Sequence, residues 1–141
     1  MDRHTVGLIT RLAPDYDQRM SRRKRRLFAG LRQLQSARGD GRIVILEIGS
    51  GSGANFRYYP DGARLICVER NSMFEAPLRA SLTQRPGGAV EISRFVLASA
   101  ENMRDLVASN SVDAVVSTKV LCSIGNVDRC LQEILRVLKP V

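Results

Sequence analysis

Leu46-Glu47-Ile48-Gly49-Ser50-Gly51-Ser52-Gly53 decides the fold of this chain. A short apolar run ends in glycines at alternate positions, the pattern of a strand that turns sharply toward a helix. Glycine opens backbone conformations closed to other residues and lets a ligand reach the main chain without Cβ atoms in the way. A nucleotide-like ligand belongs at such a turn.

Outward from the turn the pattern is regular. Residues 43–48, 64–69, 90–98 and 112–118 read as strands, and helical stretches are expected at 52–58, 72–84, 101–108 and 126–138. Strands alternating with helices imply parallel pairing and right-handed crossovers, hence a doubly wound α/β sheet. The near-continuous apolar run Val44-Ile45-Leu46 fits a sheet covered on both faces.

Two acids flank the turn. Glu69 lies twenty residues after Gly49, a spacing that serves dinucleotide sites and other nucleoside sites alike. Glu47, two residues before the first glycine, separates them. A carboxylate there would repel a pyrophosphate in a partly desolvated crevice, which disfavours NAD. S-adenosylmethionine carries an ammonium, a positive sulfonium and no phosphate, so the same acid attracts it. Glu69 is then expected to accept the ribose hydroxyls.

Length and composition bound the rest. The 141 residues are enough for one core, and 44% hydrophobic with 26% charged residues is the balance of a folded globular chain. No membrane-spanning run or secretory signal is read. Cys67, Cys122 and Cys130 are widely spaced, with His4 far from all three, so no metal site is expected. Each is expected to be a small buried hydrophobe in a reducing, intracellular compartment.

The net charge of +8 is concentrated at one end. Residues 1–42 hold eleven Lys or Arg against four Asp or Glu, and residues 43–141 hold eleven against ten. Within the first segment, Arg22-Arg23-Lys24-Arg25-Arg26 leads into Leu27, Phe28, Leu31 and Leu34, which with Met20 mark one stripe on a helix of about four turns. A turn-rich linker, 37–42, follows, dividing the chain into a basic helical segment, 1–42, and a ligand-binding domain, 43–141. The cationic face is read either as a solvated surface or as a peripheral contact with anionic membrane. Nucleic acid is not expected, because no stacking aromatics accompany the charge.

These residues resemble a known family. Leu46 to Gly53 is similar to motif I of class I methyltransferases, and Glu69 matches their second-strand acid. Ser99-Ala100-Glu101-Asn102 sits where such enzymes contact adenine, 111–117 resembles their fourth strand, and 133–140 the helix before their fifth. More narrowly, Gly53 to Pro60, Glu101-Asn102-Met103, Val120 to Ser123 and Tyr16 to Met20 resemble the methyltransferase-like seven family, membrane-associated thiol methyltransferases of the endoplasmic reticulum and lipid droplets. The sequence departs from that pattern at Ser50, Ser52 and Glu69, and the apolar N-terminal anchor of that family is not expected in it.

The resemblance implies an S-adenosylmethionine-dependent methyltransferase acting on a small-molecule acceptor, a thiol by the narrower match, in the cytoplasm or at those membranes. Its cofactor is expected on Glu47, Gly49, Ser50, Gly51, Gly53, Glu69, Ala100, Glu101 and Thr118. No catalytic residue is assigned, since methyl transfer depends chiefly on alignment and desolvation. Asp17 and Cys122 are weighed as neighbours of the substrate and read first as a helix cap and a buried apolar residue. Because the pattern stops near Pro140, the sheet is expected to be incomplete, its fourth strand an open edge available to a partner strand, and turnover negligible. A non-catalytic cofactor-binding or interaction fragment is the alternative.

Overall fold

The chain, described by a computed structural model over residues 3–83 and 90–141, is built on four parallel strands. They are β1 (Val44–Ile48), β2 (Arg64–Glu69), β3 (Glu91–Leu97) and β4 (Ala114–Ser117), arranged in the order β3-β2-β1-β4. The chain moves outward from β1 to β3 and then returns to the other side of β1. This reversal leaves a crevice at the carboxyl ends of β1 and β4, the usual place for a ligand in such sheets.

Side-chain alternation along the strands separates two apolar layers. Ile45, Leu65, Cys67 and Val116 face one side, with Phe56, Tyr59 and Leu78. Leu46, Ile48, Ile66, Val68 and Val96 face the other, with Met103, Cys130 and Val137. The first layer is covered by α1 (Arg3–Ala37) and α2 (Glu75–Thr83), which supply Phe28 and Leu78; the second is covered by α3 (Val127–Val137). Helices on both faces give the doubly wound sheet expected from the sequence.

The N-terminal helix differs most from its reading. It runs for 35 residues and includes Pro14, where about four turns were expected. Phe28, Leu31 and Leu34 do pack on the sheet layer, but Leu27 points outward at 67% exposure. Lys24, at the centre of the basic run, is buried. Asp17 is not a cap: it lies inside the helix, 4% exposed, and its carboxylate accepts from Lys24 Nζ at 2.7 Å and from the Tyr58 hydroxyl at 2.9 Å.

Two expected helices are absent. Residues 52–58 form turns and a 3₁₀ segment, Phe56–Tyr58, because glycines hold the start of this stretch and Pro60 ends it. Residues 101–108 form turns, with the Met103 N–H drawn out to the Glu133 carboxylate at 2.7 Å and the Val107 carbonyl taken by Arg136. The end of the expected 72–84 helix lies outside the described residues.

Among the described residues β4 pairs only with β1 along its length, yet the chain returns to its outer side: Val112 bridges Leu138 in parallel, and Lys139 N–H donates to the Val112 carbonyl at 2.9 Å. The start of that edge is therefore occupied, where an open one was expected. Asp113 ties the region together, its buried carboxylate accepting from the Val44 N–H and pairing with Arg38 and Lys139. Cys67 and Cys130 are buried as expected, whereas Cys122 is exposed, held in a 3₁₀ turn (Leu121–Ser123) beyond the apolar layer. No helix among the described residues is long and apolar enough to cross a membrane.

Candidate functional site

The strand ends open into a crevice of about 670 Å³. Gly49, Gly51, Glu69, Ala100, Glu101 and Thr118 all line it. Glu47, Ser50 and Gly53, expected there too, lie behind it. Glu47 follows Leu46 onto the layer covered by α1 and α2 and is 1% exposed, its Oε1 accepting from the Asn55 amide at 2.6 Å. Burial pushes its carboxyl up to about 7, against the opposing pull of Asn55 and the Tyr59 hydroxyl. Ser50 turns its hydroxyl back to the Glu47 carbonyl, and a side chain at Gly53 would run into Ser81 and the Phe56 ring.

The three glycines therefore have different tasks. All have positive φ, but only Gly51, at 52°, has open space where a Cβ would stand. A Cβ on Gly49 would collide with Val120. Gly51 thus offers the open main-chain face; Gly49 also lines the crevice but, like Gly53, has a side chain packed where a Cβ would stand.

Glu69 is fixed at the crevice edge by three backbone donors. Its Oε2 accepts from Gly51 N–H at 3.1 Å, and its Oε1 accepts from Arg70 and Asn71 at 2.8 and 3.3 Å. Glu101, in the loop after β3, accepts from Gly125 N–H at 2.9 Å and so joins the loops that follow β3 and β4. Thr118 accepts from the same Asn55 nitrogen that holds Glu47, at 2.9 Å.

This arrangement separates the two ligand classes on different grounds from those in the sequence. Glu47 lies behind the crevice, and its burial favours the neutral carboxyl over the charged one. A pyrophosphate site needs free turn N–H groups at the start of a helix. Here the Gly51 N–H is taken by a carboxylate, and the turn leads into only three residues of 3₁₀ helix. A nucleoside without phosphate fits: an open glycine face, an acid at the end of β2 for hydroxyl donors, and the small Ala100 beside Glu101.

Residues that the sequence did not single out also line the crevice. Ile9 reaches it from α1, Arg70 and Asn71 from the end of β2, and Lys119 from the end of β4. Asn55 falls inside the stretch Gly53 to Pro60 with no role assigned to it, although an amide eight residues beyond an acid across a glycine turn is a readable pairing. Nothing in the sequence placed Ile9, since it precedes Pro14.

Residues 46–141 match the methyltransferase domain family. Human thiol S-methyltransferase TMT1A is 42% identical over 132 residues, which are 94% of this chain and 52% of the relative; human TMT1B is 41% identical over 133. The chain thus spans about half the length of the curated relatives it matches. Among solved structures, a SAM-dependent methyltransferase from Aquifex aeolicus superposes with a TM-score of 0.64 at 14% identity, over 99% of this chain and 69% of that one. A putative methyltransferase from Bacillus halodurans gives 0.62 at 19% identity, over 79% and 46%. The fold and the matched domain lead to one conclusion: this chain belongs to the methyltransferase domain family.

Proposed function

We propose that the crevice binds S-adenosylmethionine and presents its methyl group to a small thiol. The observation that carries the reading is the Glu69 carboxylate, held by Gly51 N–H beside an open main-chain face, where a phosphate ligand would need that donor free. Glu69 would hold the ribose, Ala100 and Glu101 would flank the base, and Gly49, Gly51 and Thr118 would face the methionine end. Bound there, S-adenosylmethionine would supply a methyl group from its positive sulfur to an acceptor lone pair, the electrons of the methyl–sulfur bond staying with the cofactor. The protein's part is alignment and exclusion of water. The thiol acceptor is supported by the curated relatives, which are thiol S-methyltransferases.

Titration calorimetry of the chain with S-adenosylmethionine, S-adenosylhomocysteine and NAD tests the cofactor. Binding of the first two and not the third is expected, with loss of binding in Glu69→Ala. Preferential binding of NAD would overturn the reading.

A second reading concerns location, at a membrane or the adjoining cytoplasm. Leu8, Leu12 and Leu27 are exposed at 57%, 55% and 67% on the helix that carries Arg22, Arg23, Arg25 and Arg26, a combination suited to anionic lipid. Each such charge near a lipid surface contributes about 1 kcal/mol, screened by salt. Flotation with phosphatidylserine vesicles should fall as salt rises; equal recovery on neutral vesicles would exclude this contact.

A further inference from the structure

Lys119 stands at the end of the crevice away from the nucleoside side. It follows Thr118 at the end of β4, whereas Glu69 ends β2 and Ala100 and Glu101 lie in the loop after β3. Its backbone has φ of 58°, a region that disfavours residues other than glycine and asparagine. Asn110 alone shares a positive φ among the described non-glycine residues.

Lys119 lines the crevice and is an exposed residue that ends in an ammonium. It lies 3.6 Å from the centroid of the Tyr16 ring of α1, close enough for a cation–π contact. Among the described residues it pairs with no carboxylate. Arg70, the other cation on the crevice wall, is on the β2 side beside Glu69. An aromatic face steadies a cation without neutralising it, so the charge of Lys119 is available to an anion.

We propose that Lys119 binds the sulfur of the acceptor as a thiolate, with Tyr16 holding the ammonium in place. The proposal rests on the reading of the crevice as an S-adenosylmethionine site that serves a thiol. A free thiol ionises near ~8.5, and a neighbouring cation favours the thiolate, which is the nucleophilic form. The thiol proton leaves to solvent and the lone pair stays on sulfur, so no further reactant is needed. The acceptors selected are thiols that ionise near neutral pH, and their neutral S-methyl products are released because they lack the charge.

The test uses 4-nitrothiophenolate and its S-methyl thioether as probes, titrated into the full chain saturated with S-adenosylhomocysteine. The wild type should prefer thiolate over thioether by about tenfold, and Lys119→Met and Lys119→Gln should reduce that preference to about twofold or less. Lys119→Arg should keep most of it, and homocysteine-nucleoside affinity should change little in all three. An undiminished preference in both neutral variants, with S-adenosylhomocysteine still bound, overturns the role of Lys119 alone. Failure of the wild type to bind S-adenosylhomocysteine overturns the crevice reading, and this assignment with it; bound cofactor product with no thiolate binding overturns this assignment.

Discussion

The Asn55 side-chain amide donates to the buried Glu47 carboxylate at 2.6 Å, beneath the glycine turn. The same nitrogen reaches Thr118 at 2.9 Å, so one side chain connects the end of β1 to the end of β4 across the switch in strand order. Asn55→Ala removes both bonds and leaves a buried carboxyl short of a donor. The expected cost is about 1–3 kcal/mol in urea denaturation, with weaker S-adenosylmethionine binding because Thr118 loses its anchor. Unchanged affinity would place the link outside the site.

Glu47 itself predicts a pH dependence. Its folded carboxyl is raised from 4.5 to about 7 by burial, with Asn55, Tyr59, Lys24 and Glu69 as the groups that also act on it. The folded state therefore holds its proton more tightly than the unfolded state, and stability falls as pH rises from about 4.5 through about 7. The loss is on the order of 3 kcal/mol at most. Glu47→Gln, which stays neutral, should flatten the difference in unfolding free energy between pH 5 and pH 8. An equal slope in variant and wild type would show that another group sets it.

Gly51 and Gly49 should respond differently to the same change. Both have positive φ, so alanine at either is strained by about 1–2 kcal/mol. At Gly51 the new methyl group meets only the crevice, and binding should suffer more than stability. At Gly49 it meets Val120, and stability should suffer further. Thermal unfolding and calorimetry on the pair separate the two effects. A larger stability loss in Gly51→Ala would reverse the assignment.

The alternation of apolar strands with helical stretches was enough to place all four strands, because strands covered on both faces leave a continuous apolar signal. Glu69, Gly51 and Thr118 were legible as crevice-lining positions because each lies at or just past the same end of its strand. Glu47 was not legible as a buried group: its spacing from the glycines is visible, but the layer it faces depends on strand alternation, and Asn55 must be in place before it can be buried. The 101–108 stretch has helical composition, yet the Met103 N–H is taken by Glu133, a partner thirty residues on that no local pattern reveals. The N-terminal helix was read too short since Pro14 weakens a helical signal, while packing of the flanking residues carries the helix through it.

The five-residue basic run conceals two kinds of charge, and mutation should separate them. Lys24 lies on the inner side of α1, 7% exposed, seven residues from Asp17 and thus two turns along the same face. Asp17 is buried as well, and its other oxygen takes the Tyr58 hydroxyl, with Arg57 at 3.5 Å. Burial and this carboxylate push the Tyr58 hydroxyl up to about 12, so it stays a donor throughout the neutral range. Removing one partner from such a buried pair leaves a charge without compensation, which costs about 3–5 kcal/mol. Arg23 is exposed, and losing it should change stability by about 0.5 kcal/mol or less. Lys24→Met should therefore unfold at much lower urea than Arg23→Met, although both remove one positive charge from the same run. Removing both charges together, in Asp17→Leu with Lys24→Met, should recover much of the loss, because the unpaired carboxylate is gone. Salt-dependent vesicle binding should follow the opposite order, weakened by Arg23→Met and indifferent to Lys24. Equal destabilisation by Lys24→Met and Arg23→Met would mean that Lys24 does not hold α1 to the sheet domain.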